Sequence, residues 1–283
     1  MAEIQKLEKI ASQVRRDIMR MVYVPQSGHP GGSLGCVDIL TALFFEIMDH
    51  NPKQFDMDAK NQDVCFVSNG HTSPLFYSIL ARAGYFPVNE LATFRKIGSR
   101  LQGHPATAEH LPGIRIAAGS LGQGLSVAVG CAVAKKMNKE TKHVFCLMGD
   151  GEIQEGQIWE AAMFAGGKKV DNLIGMVDYN GQQIDGPVDE VMPLLNLRAK
   201  WEAFGWDVLE MDGNNMEEVV KTINLAKSHS GKGKPVMILA HTIMGKGIDF
   251  MENNHKWHGS APNAEQLANA MSQLEESLGD FKI

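Results

Sequence analysis

Short apolar runs that alternate with helical segments are the feature of this sequence that most restricts its fold. Five such runs have the length and composition of buried strands, at residues 64–68, 144–148, 173–178, 207–211 and 236–240. Helical segments separate them, among them residues 122–137, 153–166 and 215–227. Strands that alternate with helices along a chain form a parallel sheet with helices on both faces. The sequence therefore predicts an α/β fold with an open, mostly parallel sheet.

The remaining segments predict how this sheet is framed. An amphipathic helix is expected to open the chain, and the glycine- and proline-rich run at 27–33 is expected to end it as a loop. A second helix is predicted from near Gly35 to about Met48, and a short amphipathic helix at about 264–278 resembles a natural carboxyl-terminal end. Because no Pro/Ser-rich linker occurs, we expect residues 1–283 to form one domain.

Charge and cysteine usage restrict the partners and the compartment. The 27 basic and 33 acidic residues give a net charge of −6, so no basic excess exists to bind a nucleic acid. No uninterrupted apolar stretch approaches about 18 residues, and the first residues lack a signal-peptide core, so no membrane partner is expected. Four cysteines occur singly among apolar neighbours, at Cys36, Cys65, Cys131 and Cys146. They predict buried free thiols and, from these, a reducing cytoplasm.

Polar residues follow two neighbouring predicted strands where each strand ends. Asp150 follows one strand and Asn180 follows the next, and such strand ends can lie side by side at the ligand-binding edge of a parallel sheet. Carboxylate and amide oxygens are hard ligands that suit Mg²⁺ or Ca²⁺. Gly149 and Gly151 let the backbone approach an anion at the start of the next helix, so the pattern favours a diphosphate site. The alternative is that Gly-Asp-Gly is only a turn and Asn180 a left-handed turn residue.

Six motifs in a fixed order make the interpretation more specific. Asn180 follows Gly-Asp-Gly after 28 intervening residues, the spacing of thiamine-diphosphate enzymes. The motifs are SGHPGGSLG (27–35), SNGH (68–71), QGHP (102–105), GSLGQG (119–124), GDGEIQEG (149–156) and WHG (257–259). Together they closely resemble the N-terminal, diphosphate-binding half of transketolase, over about residues 5–262.

The resemblance implies a cofactor, thiamine diphosphate, and a divalent cation, Mg²⁺ or alternatively Ca²⁺ or Mn²⁺. Asp150, Asn180 and the backbone carbonyl of Gln182 would bind the cation. The cofactor-binding residues that it implies are His71, Gly119, Ser120, Leu121, Gly149, Asp150, Gly151, Glu152, Asn180 and His258.

The resemblance also implies catalytic residues. His71 and His258 would bind the diphosphate and face the substrate channel, and His29 and His104 would meet the hydroxyls of the donor sugar. None of the four lies on a periodic apolar face, and imidazole suits proton transfer near neutral pH, although each could still be a surface residue. Glu155 would join a proton network at a dimer interface; its alternative role is a solvated helix face.

The chain departs from the family pattern in its length. A single-chain transketolase continues with a module that grips the aminopyrimidine ring and carries the glutamate that activates the cofactor. No acidic residue of this chain can be nominated for that role. We therefore expect a split gene whose second, C-terminal subunit completes an α₂β₂ enzyme; the alternative is a truncated piece of a longer chain.

The expected function is the N-terminal subunit of a two-subunit transketolase, which transfers a two-carbon ketol unit from a ketose, or its phosphate, to an aldose or its phosphate. One alternative is half of another thiamine-diphosphate enzyme, similar to deoxyxylulose-phosphate synthase. A second alternative is a non-catalytic paralogue that only binds a partner subunit. Intact metal and histidine motifs argue against the second, and the QEG motif with His29 and His104 argues against the first.

Overall fold

The computed structural model describes residues 2–283. Its strands are, in chain order, β1 (Val64–Val67), β2 (Val144–Gly149), β3 (Leu173–Tyr179), β4 (Gln182–Gln183), β5 (Gly186–Pro187), β6 (Asp207–Asp212) and β7 (Val236–His241). Its helices are α1 (Ala2–Tyr23), α2 (Pro30–Gly35), α3 (Val37–Ala42), α4 (Ser73–Arg82), α5 (Gly124–Met137), α6 (Gly156–Gly167), α7 (Val188–Val191), α8 (Leu197–Ala203), α9 (Met216–His229) and α10 (Ala264–Gln273). Each of the five predicted strands is present, and its last residue differs from the predicted one by a single position.

The strands confirm the predicted α/β class. Five of them form a parallel sheet in the order β1-β2-β3-β7-β6, and β4 and β5 form a separate antiparallel hairpin. Gly149 at the end of β2 pairs with Asp178 of β3, which in turn pairs with Ala240 of β7. The carboxyl ends of these central strands therefore lie in one row, which is where an open parallel sheet binds its ligands.

Helices cover both faces of the sheet. On one face, α1, α3, α4 and α9 pack around a core that includes the fully buried Leu7 and Ile39. On the other face, α5, α6 and α8 enclose a core that includes Ile158 and Trp201. Among the helices described over residues 2–283, none is long and apolar enough to cross a membrane.

The glycine-rich run at 27–33 is partly helical, so its prediction as a loop is wrong. The helix predicted from near Gly35 to about Met48 is present as α3, which begins at Val37 and continues as a π-helix over Leu43–Ile47. The unpredicted α2 precedes it and begins at Pro30, where the missing N–H of proline is tolerated. A Cβ atom on Gly31 would lie 2.9 Å from the Met244 side chain. The glycines thus let α2 pack directly against a distant loop, a contact that local sequence does not reveal.

The prediction of a helix over 264–278 is also wrong at its end. The helix α10 stops at Gln273, and the residues after it run along α1. Arg16 of α1 donates hydrogen bonds to the Leu274 carbonyl oxygen at 2.7 Å and to Asp280 Oδ2 at 2.7 Å. These contacts with α1 replace the helical hydrogen bonds that the apolar spacing predicted.

The cysteines are free thiols, as predicted. Cys36, Cys65 and Cys146 are buried and Cys131 is half-buried. Burial raises the pKa of the Cys65 thiol to about 12, so this group stays protonated and unreactive at neutral pH.

Candidate functional site

A cavity of about 240 Å³ opens at the carboxyl ends of β2 and β3. Most of the predicted site residues form its wall, namely His71, Leu121, Gly149, Asp150, Gly151, Glu152, Glu155, Asn180, Gln182 and His258. The predicted residues outside the wall are His29, His104, Gly119 and Ser120. Of these, His29 lies beside the cavity, because its ring centroid is 5.4 Å from that of His71. Ser120 directly precedes Leu121 of the wall, and Gly119 lies against the His104 side chain.

A larger depression, of about 810 Å³, shares no lining residue with this cavity. It lies between residues 56–61 and the outward side of α5. Its described lining residues include no histidine and none of the predicted site residues. We therefore place the candidate active site at the smaller cavity.

Asp150 is a buried carboxylate at the end of β2, with 2% of its surface exposed. Its Oδ1 accepts a hydrogen bond from the Gly151 N–H at 2.8 Å, and its Oδ2 accepts one from the Gly181 N–H at 2.6 Å. Burial, followed by the negative charge of Asp178, raises the pKa of Asp150 to about 8. A cation bound at this carboxylate would offset both effects.

Asn180 is held in one orientation beside Asp150. Its Nδ2 donates to Asp178 Oδ2 at 2.9 Å, and its Oδ1 accepts a hydrogen bond from the Gln182 N–H at 2.9 Å. Asp178 is itself buried and also accepts a hydrogen bond from the Thr242 hydroxyl. The sequence did not predict this orienting role, although a carboxylate in an otherwise apolar strand was an available signal.

Four imidazoles meet beside the cavity: His29, His71, His104 and His258. The ring centroids of His71 and His258 are 4.9 Å apart, and those of His29 and His104 are 6.0 Å apart. Burial, followed by the neighbouring imidazoles, lowers the pKa of His71 to about 3, and burial lowers the pKa of His29 to about 4. Burial also lowers the pKa of His258, and partial desolvation, followed by the charge of Arg95, lowers the pKa of His104, whose surface stays largely accessible. The cluster is therefore neutral at pH 7, and each ring offers one donor and one acceptor to a ligand.

We expect this cluster to make folding stability depend on pH. The unfolded chain protonates these histidines near pH 6.5, whereas folded His71 stays neutral to about pH 3, so the free energy of unfolding falls as the pH drops below 6.5. Replacing His71 with glutamine should remove its share, about 2–3 kcal/mol between pH 7.5 and 4.5, at about 1.4 kcal/mol per pKa unit. Urea unfolding at the two pH values measures the difference. The control is His110→Asn, which removes an exposed histidine. If wild type and His71→Gln lose the same free energy of unfolding between the two pH values, the expectation is contradicted.

The two carboxylates after the Gly-Asp-Gly turn differ in their surroundings. Glu152 is buried, and burial raises its pKa, whereas Glu155 is exposed. The helix predicted from residue 153 begins at Gly156, because Glu155 has an extended backbone and forms the N-cap. The proton-network role of Glu155 at a dimer interface stays a prediction.

Several cavity residues were not predicted. Gln154 donates to Gln183 Oε1 at 2.9 Å and to the Met192 carbonyl oxygen at 3.1 Å, which ties the segment after β3 to the turn after β2. Ile184 and Met244 also belong to the wall. The QEG motif was the only sequence signal for Gln154, and Met244 is placed by packing between segments that are distant in the chain.

Comparison with protein families and curated proteins gives one consistent result. The model of the transketolase thiamine diphosphate binding domain matches residues 7–281. A subunit of the apulose-4-phosphate transketolase from Phocaeicola vulgatus is 40% identical over 279 residues, which are 98% of this chain and 96% of that protein. A subunit of the 6-deoxy-6-sulfo-D-fructose transketolase from a Clostridium species is 41% identical, over 95% of this chain and 96% of that protein.

Single-chain relatives match the same residues but are much longer. Human transketolase is 36% identical over 274 residues, which are 96% of this chain and 42% of that protein. The crystal structure of transketolase from Campylobacter jejuni superposes with a TM-score of 0.88 and 37% identity, over 95% of this chain and 42% of that chain. The chain thus spans less than half the length of these single-chain relatives and nearly the full length of the subunit relatives.

Proposed function

The chain belongs to the transketolase family, whose thiamine diphosphate binding domain it matches over residues 7–281, and from this membership we propose that it is the N-terminal subunit of a two-subunit transketolase. The reaction transfers a two-carbon ketol unit from a ketose to an aldose. The observation that carries the proposal is length: the chain spans 96% of relatives named as subunits but 42% of a single-chain transketolase. The alternative of a deoxyxylulose-phosphate synthase-like enzyme is not favoured by these relatives.

The cavity suits a metal-bound diphosphate. A buried carboxylate of raised pKa, Asp150, lies beside the oriented amide oxygen of Asn180 and the backbone at Gln182. This oxygen donor set is the one that Mg²⁺ prefers, and Ca²⁺ or Mn²⁺ accepts it as well. The Gly149–Gly151 turn lies in the same cavity wall, so its backbone would approach a diphosphate bound there. Bound thiamine diphosphate supplies the nucleophilic carbon and the electron sink for breaking and forming the C–C bond.

The histidines of this chain supply polar contacts to the ligands. His71 and His258 belong to the cavity wall and would bind the diphosphate, whereas His29 and His104 lie further out and would hydrogen-bond the hydroxyls of the donor sugar. Neutral imidazoles can donate and accept in turn, so they hold and pass protons without placing fixed charge beside the sugar. Buried Nδ1 atoms of His29 and His258 have no hydrogen-bond partner within residues 2–283, which leaves capacity for such contacts.

The proposed partner is a C-terminal transketolase subunit that carries the pyrimidine-binding module. The proposed assembly is α₂β₂, because composite sites of this family form across a dimer core. Exposed apolar side chains on α5 and α6 support burial of these helices in an assembly. They are Val127, Met163 and Phe164, with 42%, 61% and 48% of their surface exposed.

We expect the isolated chain to bind thiamine diphosphate weakly and to have no turnover. Its cavity holds the metal and diphosphate residues but lacks the module that grips the pyrimidine. Calorimetric titration of the chain, with and without the candidate partner and always with Mg²⁺, compares the two affinities. A sugar-phosphate transfer assay on the same samples separates the alternatives: transfer only in the mixture supports the proposal. Submicromolar binding and turnover by the chain alone would contradict it, and a mixture that assembles without turnover would favour the non-catalytic paralogue.

A further inference from the structure

One carboxylate at the cavity is committed to protein contacts. Glu152 is 3% exposed, and its Oε1 accepts hydrogen bonds from the Ser68 hydroxyl and from the Gly122 N–H at 2.8 Å. Its Oε2 accepts a hydrogen bond from the Gly149 N–H at 3.0 Å. Glu152 therefore joins the ends of β1 and β2 to a loop that is some 30 residues distant along the chain.

That loop, residues 118–124, has few other attachments; at its start the Ala118 N–H donates to the Pro105 carbonyl oxygen at 3.1 Å. Gly124 N–H donates to the Ser68 hydroxyl oxygen at 3.0 Å, and Gly122 N–H donates to Glu152. Within residues 2–283, the amides of residues 119–121 and 123 make no hydrogen bond to protein, and these residues are exposed. Leu121 of this loop belongs to the cavity wall. The position of this part of the wall thus depends on Ser68 and Glu152.

Close packing beneath the loop agrees with this arrangement. A Cβ atom on Gly124 would lie 2.3 Å from Ser68 Oγ, and one on Gly70 would lie 2.0 Å from the Ala118 carbonyl oxygen. Both ends of the 118–124 loop therefore approach the end of β1 closely, and the Ser68–Glu152 pair fixes the middle.

We propose that Glu152 and Ser68 are a pair of positioning residues, which hold the 118–124 loop against the Gly149–Gly151 turn so that both shape one cofactor cavity. The inference rests on the proposed thiamine diphosphate site. It assigns Glu152 an indirect role: the carboxylate organises the wall through backbone N–H groups and does not ligate the cofactor.

The direction in which Glu152→Gln changes the affinity for thiamine diphosphate distinguishes this positioning role from a direct electrostatic role. A carboxylate that acted on the diphosphate through its charge would repel it, so removing the charge in Glu152→Gln would tighten binding. Positioning requires the opposite result. Glutamine carries one oxygen and one NH₂ group, so it cannot accept hydrogen bonds from Gly122 and Gly149 on two separate atoms. The loop is then released and binding weakens.

The experiment uses the full chain in four forms: wild type, Glu152→Gln, Ser68→Ala and the double variant. Hydrogen exchange at the hydrogen-bonded amides of Gly122 and Gly124 is followed without cofactor, and affinity for thiamine diphosphate with Mg²⁺ is measured by calorimetry on the chain mixed with its candidate partner subunit. Loss of these hydrogen bonds should raise exchange about 10-fold or more and weaken binding about 3- to 30-fold. Because the residues act as a pair, the double variant should be little worse than Glu152→Gln. The matched control is Glu217→Gln, an exposed carboxylate in the first turn of α9.

Each measurement can contradict the positioning role of Glu152 and Ser68. Unchanged exchange at the Gly122 and Gly124 amides, tighter binding by Glu152→Gln, or additive effects of the two substitutions would each overturn the inference. If Glu152→Gln does not fold, Ser68→Ala tests the inference by itself, because it removes the hydroxyl that contacts both Glu152 and the Gly124 N–H. A wild-type chain that binds no thiamine diphosphate, even with its partner, would refute the proposed function, while the exchange result would still test the loop.

Discussion

Replacing Asp150 with alanine is expected to abolish the activity of the reconstituted complex, with kcat/KM at limiting Mg²⁺ falling at least about 100-fold. Asp150 is the charged member of the proposed donor set, and its two oxygens also accept hydrogen bonds from Gly151 and Gly181. Without it, the negative charge of the diphosphate is poorly neutralised and the turn after β3 loses its tie to β2. Transfer assays over a range of Mg²⁺ concentrations measure the effect.

Two further variants test whether Asp150→Ala loses activity because a metal ligand is missing or because the protein is unfolded. Asp150→Asn keeps the shape but leaves the N–H of Gly151 or Gly181 without an acceptor, so the metal-free protein should lose only about 1–2 kcal/mol of its free energy of unfolding while activity at limiting Mg²⁺ is lost. Asp58→Ala, at an exposed aspartate remote from the cavity wall, should leave activity unchanged. Full activity of Asp150→Ala at limiting Mg²⁺ would show that Gly-Asp-Gly is merely a turn.

His104→Ala should raise the donor KM and lower kcat, with cofactor affinity nearly unchanged. His104 is exposed and lies outside the cavity wall, but its ring is 6.0 Å from that of His29. It is therefore placed to meet the sugar and not the diphosphate. A lost hydrogen bond to a polar substrate group costs about 1–3 kcal/mol, so kcat/KM for the donor should fall roughly 5- to 150-fold. Steady-state kinetics with the donor varied, together with cofactor titration, measure both quantities.

Assembly provides the control for this variant. His104→Ala should sediment as the wild-type oligomer, because an exposed ring is removed and the backbone at Pro105 is kept. His71→Ala is the matched comparison, since His71 belongs to the cavity wall, and it should weaken cofactor binding. Unaltered donor kinetics with weakened cofactor binding in His104→Ala would reverse the roles assigned to His71 and His104.

The sheet could be predicted from sequence because its signal is local. Strands buried on both faces need continuous apolar runs, and residues 173–178, for example, predicted β3 to within one residue. The juxtaposition of Asp150 and Asn180 followed from the rule for strand ends, and the pairing of Gly149 with Asp178 confirms their proximity.

Other features depend on contacts between distant segments. The helix α2 was missed because its glycines look like a loop, and its helical form is stabilised by packing against Met244. The same reason explains Glu152: the family resemblance implied cofactor binding, and sequence could not show that both its oxygens accept hydrogen bonds from protein donors. The four histidines were identified by resemblance to a family, and residue spacing alone could not have shown that their rings meet.

The contact between the carboxyl-terminal tail and α1 has a consequence for synthesis of the protein. Arg16 and Asp280 are separated by 264 residues, and Ser12 reaches the Glu275 carbonyl oxygen across 263 residues. At about 5–20 residues per second, roughly 10–50 s pass between translation of the two partners. Until then Arg16 and Ser12 of α1 lack these partners, and the side of α1 that packs against α10 stays uncovered. The first helix therefore completes its contacts only when the end of the chain has been made.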